Sequence, residues 1–137
     1  MMVKHFIAHL GGRMTSAVRN VTFDIAAPHE PYEIAQFWGQ VLGRAVSPED
    51  KRTDDEVGLD GEPRLLFVRV PEAKTLKNRV HLDLQPDTTR DEEVDRLTGL
   101  GARLVDDQRR SDGSGWMVLT DPAGNEFCVE RSAAERA

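Results

Sequence analysis

The sequence is poor in cysteine, aromatics, long apolar runs and basic charge, and each shortage excludes something. A single cysteine, Cys128, in 137 residues cannot close an internal disulfide or build a cysteine-rich zinc site. No stretch approaches the roughly 18 apolar residues of a membrane span. Eighteen basic against 24 acidic side chains leave a formal charge of -6, a field that repels nucleic acid and anionic membranes. What remains, 39% apolar and 31% charged residues, is the composition of an ordinary globular protein of one domain or two small modules.

The N-terminal run from Phe6 to Leu10 is five residues long and contains His9, too short for the roughly 7 to 15 apolar residues of an export signal. Residues 1–16 are expected to be a dispensable tail, with Met14 as a second candidate start, and the chain is expected to be cytoplasmic.

The rest is one unit written twice. Leu42-Gly43 recurs as Leu100-Gly101, 58 residues on, and Val21-Thr22-Phe23-Asp24-Ile25 aligns with Val80-His81-Leu82-Asp83-Leu84 at an offset of 59. The alternation of Val21, Phe23 and Ile25 with Asn20, Thr22 and Asp24 has the period of a half-buried strand. Ile34, Phe37, Trp38, Val41 and Leu42 then form a continuous helical stripe, with Pro31 suited to the first turn and Gly43 to the stop. In the second half Thr89 and Glu92 offer a capping box, Val94, Leu97 and Leu100 a thinner stripe, and Gly101 an end. Three strand-like stretches follow each helix: 45–48, 56–59 and 63–70, then 102–108, 116–120 and 126–129. The expected organisation is module one at 17–70, a linker at 71–79, module two at 80–131 and a tail at 132–137.

This duplicated βαβββ pattern, with FWGQVLGR at 37–44, PRLLFVRVPEAKTLKNRVHLDL at 63–84 and DPAGNEFCVE at 121–130, resembles the vicinal oxygen chelate superfamily of glyoxalases, bleomycin resistance proteins and extradiol dioxygenases. The resemblance implies an α+β fold in which two βαβββ modules form a cup with helices outside, completed in a homodimer. The alternation agrees. Val80, Leu82 and Leu84 would face the helices and His81 and Asp83 the cup; Phe127 and Val129 would face a helix, leaving Glu126, Cys128 and Glu130 on the opposite face.

Metal-dependent members place His, Glu or Gln ligands on the first and last strands of each module. Carried over by position, His81 is one good ligand, and Cys128 stands where the usual carboxylate would be, with Glu126 two residues earlier. The first module offers at best one carboxylate around Asn20, Thr22 or Asp24, and apolar residues near Leu65 or Phe67. No second ligand histidine is in sight, since His5 and His9 lie in the tail and His29 in a loop. The expectation is therefore no cofactor; a divalent metal, if held, would use His81, Glu126 and Asp24. Cys128 reads either as a thiolate able to ligate zinc or, the commoner role for one cysteine, as a small apolar neighbour of Phe127.

His81 and Asp83 are the candidate catalytic pair, a base with an orienting carboxylate, against the alternative of a histidine held by strand-to-strand hydrogen bonds. Asp24 and Asp83, related by the repeat, would face each other across a pseudo-twofold axis. Thr22, Asp24, Glu126, Cys128 and Trp116 are the candidate ligand-binding residues, Trp116 as either a core plug or an aromatic wall. Lys74, Lys77 and Arg79 either recognise an anion at the rim or brace the join between modules. Two functions compete: an enzyme of the lyase, isomerase or dioxygenase type acting on a small oxygenated metabolite, and a ligand-sequestering protein of the bleomycin resistance type.

Overall fold

The computed structural model describes residues 14–137. The N-terminal segment containing His5 and His9 lies outside the described residues. Module one runs β1 (Asn20–Ile25), α1 (Pro31–Leu42), β2 (Glu56–Leu59) and β3 (Arg64–Arg69). Module two runs β4 (Asp83–Leu84), α2 (Arg90–Leu100), β5 (Arg103–Asp107), β6 (Met117–Thr120) and β7 (Glu126–Val129), followed by a one-turn helix α3 (Ala133–Arg136).

The two sheets are built alike. In the first, the order is β1-β3-β2, with β1 parallel to β3 and β2 antiparallel to it. In the second, the order is β4-β7-β6-β5, with β4 parallel to β7 and the other pairs antiparallel. The fourth strand of module one shrinks to a single bridge between Val46 and Leu59. Pro48, two residues on, has no N–H to donate, so pairing stops after the bond from the Ser47 N–H to the Gly58 carbonyl. This is the α+β fold of two βαβββ modules that the resemblance implies.

Sequence chemistry explains the helix ends. Pro31 occupies the first turn of α1, and Gly43 ends it at φ 67°, a left-handed conformation that costs glycine little. Thr89 caps α2, its side chain accepting from the Glu92 N–H at 3.1 Å while the Glu92 carboxylate accepts from the Thr89 N–H. The stripe of α1 packs Ile34, Phe37, Trp38 and Val41 into the core. Trp38, fully buried, meets Phe127 of β7 edge-on at 4.9 Å between centroids. It removes on the order of 200 Å² from water, worth about 5 kcal/mol at 25 cal/mol/Å² as an upper figure. Because Trp38 belongs to module one and Phe127 to module two, both modules share one core.

One expectation is corrected. Val80 does not face the helices: it is 79% exposed. The register pairs Asp83 with Cys128 and Leu84 with Val129, so residue 80 would oppose Asn125, in the turn before β7 begins. With no strand beside it, the segment leaves the sheet, and β4 shortens to Asp83–Leu84. The C-terminal tail carries α3. The Glu135 carboxylate there accepts from the N–H of Arg90 and of Ser132, both at 2.8 Å, seating the helix on the start of α2.

Candidate functional site

Alternation along β1, β4 and β7 sorts each strand into a core side and a cup side. Ile25, Leu65, Phe67, Phe127 and Val129 are buried in the core. Thr22 and Asp24 face out from β1, His81 and Asp83 from the segment entering β4, and Cys128 from β7. Between the two modules lies a cleft of about 740 Å³. One wall is residues 21–24 and the other residues 78–82, with Ala123 and Asn125 below and Glu72 to Lys74 at the rim.

Three of the predicted residues, Thr22, Asp24 and His81, line this cleft. Asp83 and Cys128 sit behind His81. The Asp83 Oδ1 lies 3.1 Å from His81 Nδ1, and the Cys128 sulfur lies 4.0 Å from the same nitrogen. Asp83 therefore meets its neighbour His81 rather than its repeat partner Asp24. With Nδ1–H donated to Asp83, the imidazole keeps its lone pair on Nε2. Both neighbours converge on one nitrogen, so this is not a nucleophilic relay, in which the thiol and the carboxylate would hold opposite ring edges. Burial pushes the Cys128 thiol up to about 11, and the adjacent Asp83 carboxylate adds to the effect, so the sulfur stays protonated.

Glu126 has a different job. Its carboxylate accepts from the Asn78 N–H at 2.9 Å and from the Lys74 ammonium at 3.1 Å. Burial opposes its ionisation, but the Asn78 N–H and Lys74 outweigh that and hold the carboxyl below its usual range. The linker is thus pinned to β7, with Asn78 Nδ2 also donating to Asn125 Oδ1 at 2.9 Å. Of the linker cations, Lys74 braces the join. Trp116 lies away from the cleft, with Arg110 over its ring at 5.4 Å, in a shallow depression it shares with Glu130, Arg131 and Arg136.

The cleft also contains residues that the sequence did not single out as ligand contacts: His29, set aside as a loop histidine, and Asn125, inside a turn motif that reads as purely structural. Nothing in strand alternation predicts a loop side chain's destination. Arg79 lines the same wall as His81 and makes no ion pair among the described residues.

Residues 20–130 match the family described as the glyoxalase-like domain, and the chain belongs to that family. Solved structures agree in fold. A hypothetical protein from S. aureus is 20% identical, with a TM-score of 0.61 over 88% of this chain and 95% of that one. A glyoxalase/bleomycin resistance protein/dioxygenase family enzyme from Burkholderia phytofirmans PsJN is 18% identical, with a TM-score of 0.60 over 83% of this chain and 97% of that one. A lactoylglutathione lyase from Agrobacterium tumefaciens is 17% identical, with a TM-score of 0.58 over 86% and 95% of the two chains. No curated protein matches the sequence.

The donor set expected by position from metal-dependent members would come from both modules, and among the described residues module one does not match its half of it. The register equates Asp24–Val68 of module one with Asp83–Cys128 of module two, so the counterparts of His81 and Cys128 are Thr22 and Val68. Leu65 and Phe67, expected near the ligand place, are core residues. A hydroxyl and a hydrocarbon are no match for the imidazole or carboxylate donors of a metal centre. The set His81, Glu126 and Asp24 also fails to gather. What does gather, among the described residues, is His81, Asp83 and Cys128, whose donor atoms all lie within 4.8 Å of one another.

Proposed function

We propose that this chain binds a small oxygenated metabolite in the cleft between its modules and that His81 acts there as base or polariser. The observation that carries this reading is the His81–Asp83 contact of 3.1 Å at the cleft wall. A carboxylate on Nδ1 fixes the neutral tautomer, presents Nε2 as acceptor and stabilises the imidazolium that proton abstraction creates. The chemistry suited to such a base is removal of a proton from carbon next to a carbonyl, the first step of a lyase or isomerase reaction. Arg79, on the same wall, offers its guanidinium to the negative charge that develops on the oxygen. Thr22 and Asp24 present a hydroxyl and a carboxylate from β1, suited to hydroxyl groups of the ligand.

The same reading takes the cup as completed in a homodimer. Leu76 and Val80, 81% and 79% exposed at the linker and rim, are apolar surface that a partner would cover. Among the described residues, no helix is long and apolar enough to cross a membrane.

The test is a thermal-shift panel of small hydroxy- and oxo-acids on chelator-treated protein, followed by turnover of the stabilising compounds by wild type and His81→Ala. Loss of roughly 10²-fold or more in kcat is the expected result; turnover that ignores the substitution removes His81 from the chemistry. The second reading, sequestration without reaction, would show as stabilisation by a compound that is never converted.

A further inference from the structure

We infer that the face carrying Trp116, away from the cleft, holds a second ligand site, and that its ligand is a compact phosphate monoester. The inference is independent of the role proposed for His81.

The depression holds about 210 Å³, is lined by Gly115, Trp116, Glu130, Arg131 and Arg136, and shares no lining residue with the cleft. That is room for about seven waters at roughly 30 Å³ each, and less than the roughly 300 Å³ at which drug-sized pockets begin. The ligand it suits is small. Trp116 is half-buried, and the Arg110 guanidinium lies 5.4 Å from its ring centroid. This cation–π contact holds a long side chain in place before any ligand arrives.

Although the whole chain carries a charge of -6, this corner is basic. Arg136 is paired with Glu130 at 2.7 Å. Arg110 and Arg131 make no ion pair among the described residues. Their own bonds are long, 3.5 Å from Arg110 Nη1 to the Ser114 hydroxyl and 3.5 Å from Arg131 Nη1 to the Glu135 carbonyl, so both keep donors to offer. Asp112, a carboxylate near both, is outside the lining and accepts from the Ser114 N–H at 2.9 Å and its hydroxyl at 2.6 Å. A further cation stands behind Gly115, whose carbonyl accepts from Nη1 of Arg90 at 2.9 Å. That guanidinium is 6% exposed, and its Nε has no partner among the described residues. Salt screens a buried charge little.

The charges select the ligand. Two unpaired guanidinium groups balance one dianion, and a phosphate monoester carries about -1.5 to -2 at pH 7. Its oxygens, clustered on one centre, suit the paired donors of planar guanidinium forks. A single carboxylate would leave one arginine unmatched, and a dicarboxylate spreads its two charges over two ends.

Indole N–H resonances test this on the full chain, since Trp38 and Trp116 are its two tryptophans and Trp116→Phe assigns them. Titration with glycerol 3-phosphate should shift the Trp116 signal saturably, with a Kd of about 1 mM or tighter, and leave in place the Trp38 signal, held at Asp121. Arg110→Gln and Arg131→Gln should each weaken binding about tenfold, as loss of one charge-assisted hydrogen bond does, with an unmoved Trp38 signal showing both variants folded. Arg79→Gln, altered in the cleft, should bind as wild type does. Absence of a saturable shift, unchanged affinity in both Arg110→Gln and Arg131→Gln, or weakened binding in Arg79→Gln overturns the site. Succinate bound as tightly as glycerol 3-phosphate overturns the phosphate assignment.

Discussion

The indole Nε1–H of Trp38 donates to Oδ2 of Asp121 at 2.9 Å, joining the helix of module one to the turn before the last strand of module two. Both partners are buried. Asp121 Oδ1 also accepts from the N–H groups of Ala123 and Asn125, each at 2.9 Å, so a charge without access to water is satisfied by donors from its own turn and from the opposite module. Replacing Trp38 by Phe deletes a charge-assisted bond and should cost about 1.5 to 3 kcal/mol of unfolding free energy. Denaturant titration checks it; a loss under about 0.5 kcal/mol would mean that the bond does not help hold the modules together.

The Glu126 anchor should make the join between linker and β7 sensitive to acid. Its folded carboxyl titrates below its ordinary 4.5, so its contribution is fully present above that value and is lost as pH falls through the lowered folded one. Glu126→Gln should therefore be less stable than wild type near neutrality, and the gap should narrow below about pH 4. Denaturation midpoints collected across that window decide the matter, and a gap that does not change with pH would dismiss the carboxylate's role.

Gly115 should tolerate no side chain. It sits at φ 99°, and an added Cβ would come within 2.1 Å of the Gln108 carbonyl oxygen. Its own carbonyl accepts from Arg90 Nη1 at 2.9 Å, so a shift there would disturb a buried guanidinium. Gly115→Ala is expected to lose about 2 to 3 kcal/mol, read as a lowered melting temperature. An unchanged melt would mean that the turn relaxes freely.

If His81 is the base proposed above, Asp83 acts through it, and its replacement should separate rate from binding. In Asp83→Asn the amide can offer Nδ1 a donor and favour the wrong tautomer. For the compound identified by turnover, kcat should fall about 10²-fold while KM stays nearly constant, and Asp83→Glu should recover part of the rate. A KM effect of the same size would make Asp83 a ligand contact instead.

Much of this was legible from the chain because repeats and alternation report on backbone pairing. The stripe of α1, the capping box at Thr89, the limits of β2 and β7 and the exposed side of β1 all follow from period and punctuation. The failures share a cause. Whether Val80 packs depends on where the neighbouring strand begins, and whether Glu126 faces a ligand depends on where Lys74 and Asn78 come to rest; both are distances between segments far apart in sequence. Trp116 failed likewise, since an aromatic before a strand has no way to announce which surface its ring will join. The meeting of Asp83 with Cys128 needed the parallel register of β4 and β7, which no local pattern encodes.

The contact of Trp38 with Phe127 has a consequence for the history and dissection of the molecule. Two copies of one unit have exchanged self-sufficiency for a common interior, so a chain cut within the linker should yield fragments that are loosely ordered apart and regain structure when mixed. The cup-facing positions carry no such mutual obligation. Thr22 and His81, or Val68 and Cys128, occupy matching places yet differ in chemistry, a divergence that the shared interior does not permit its own residues.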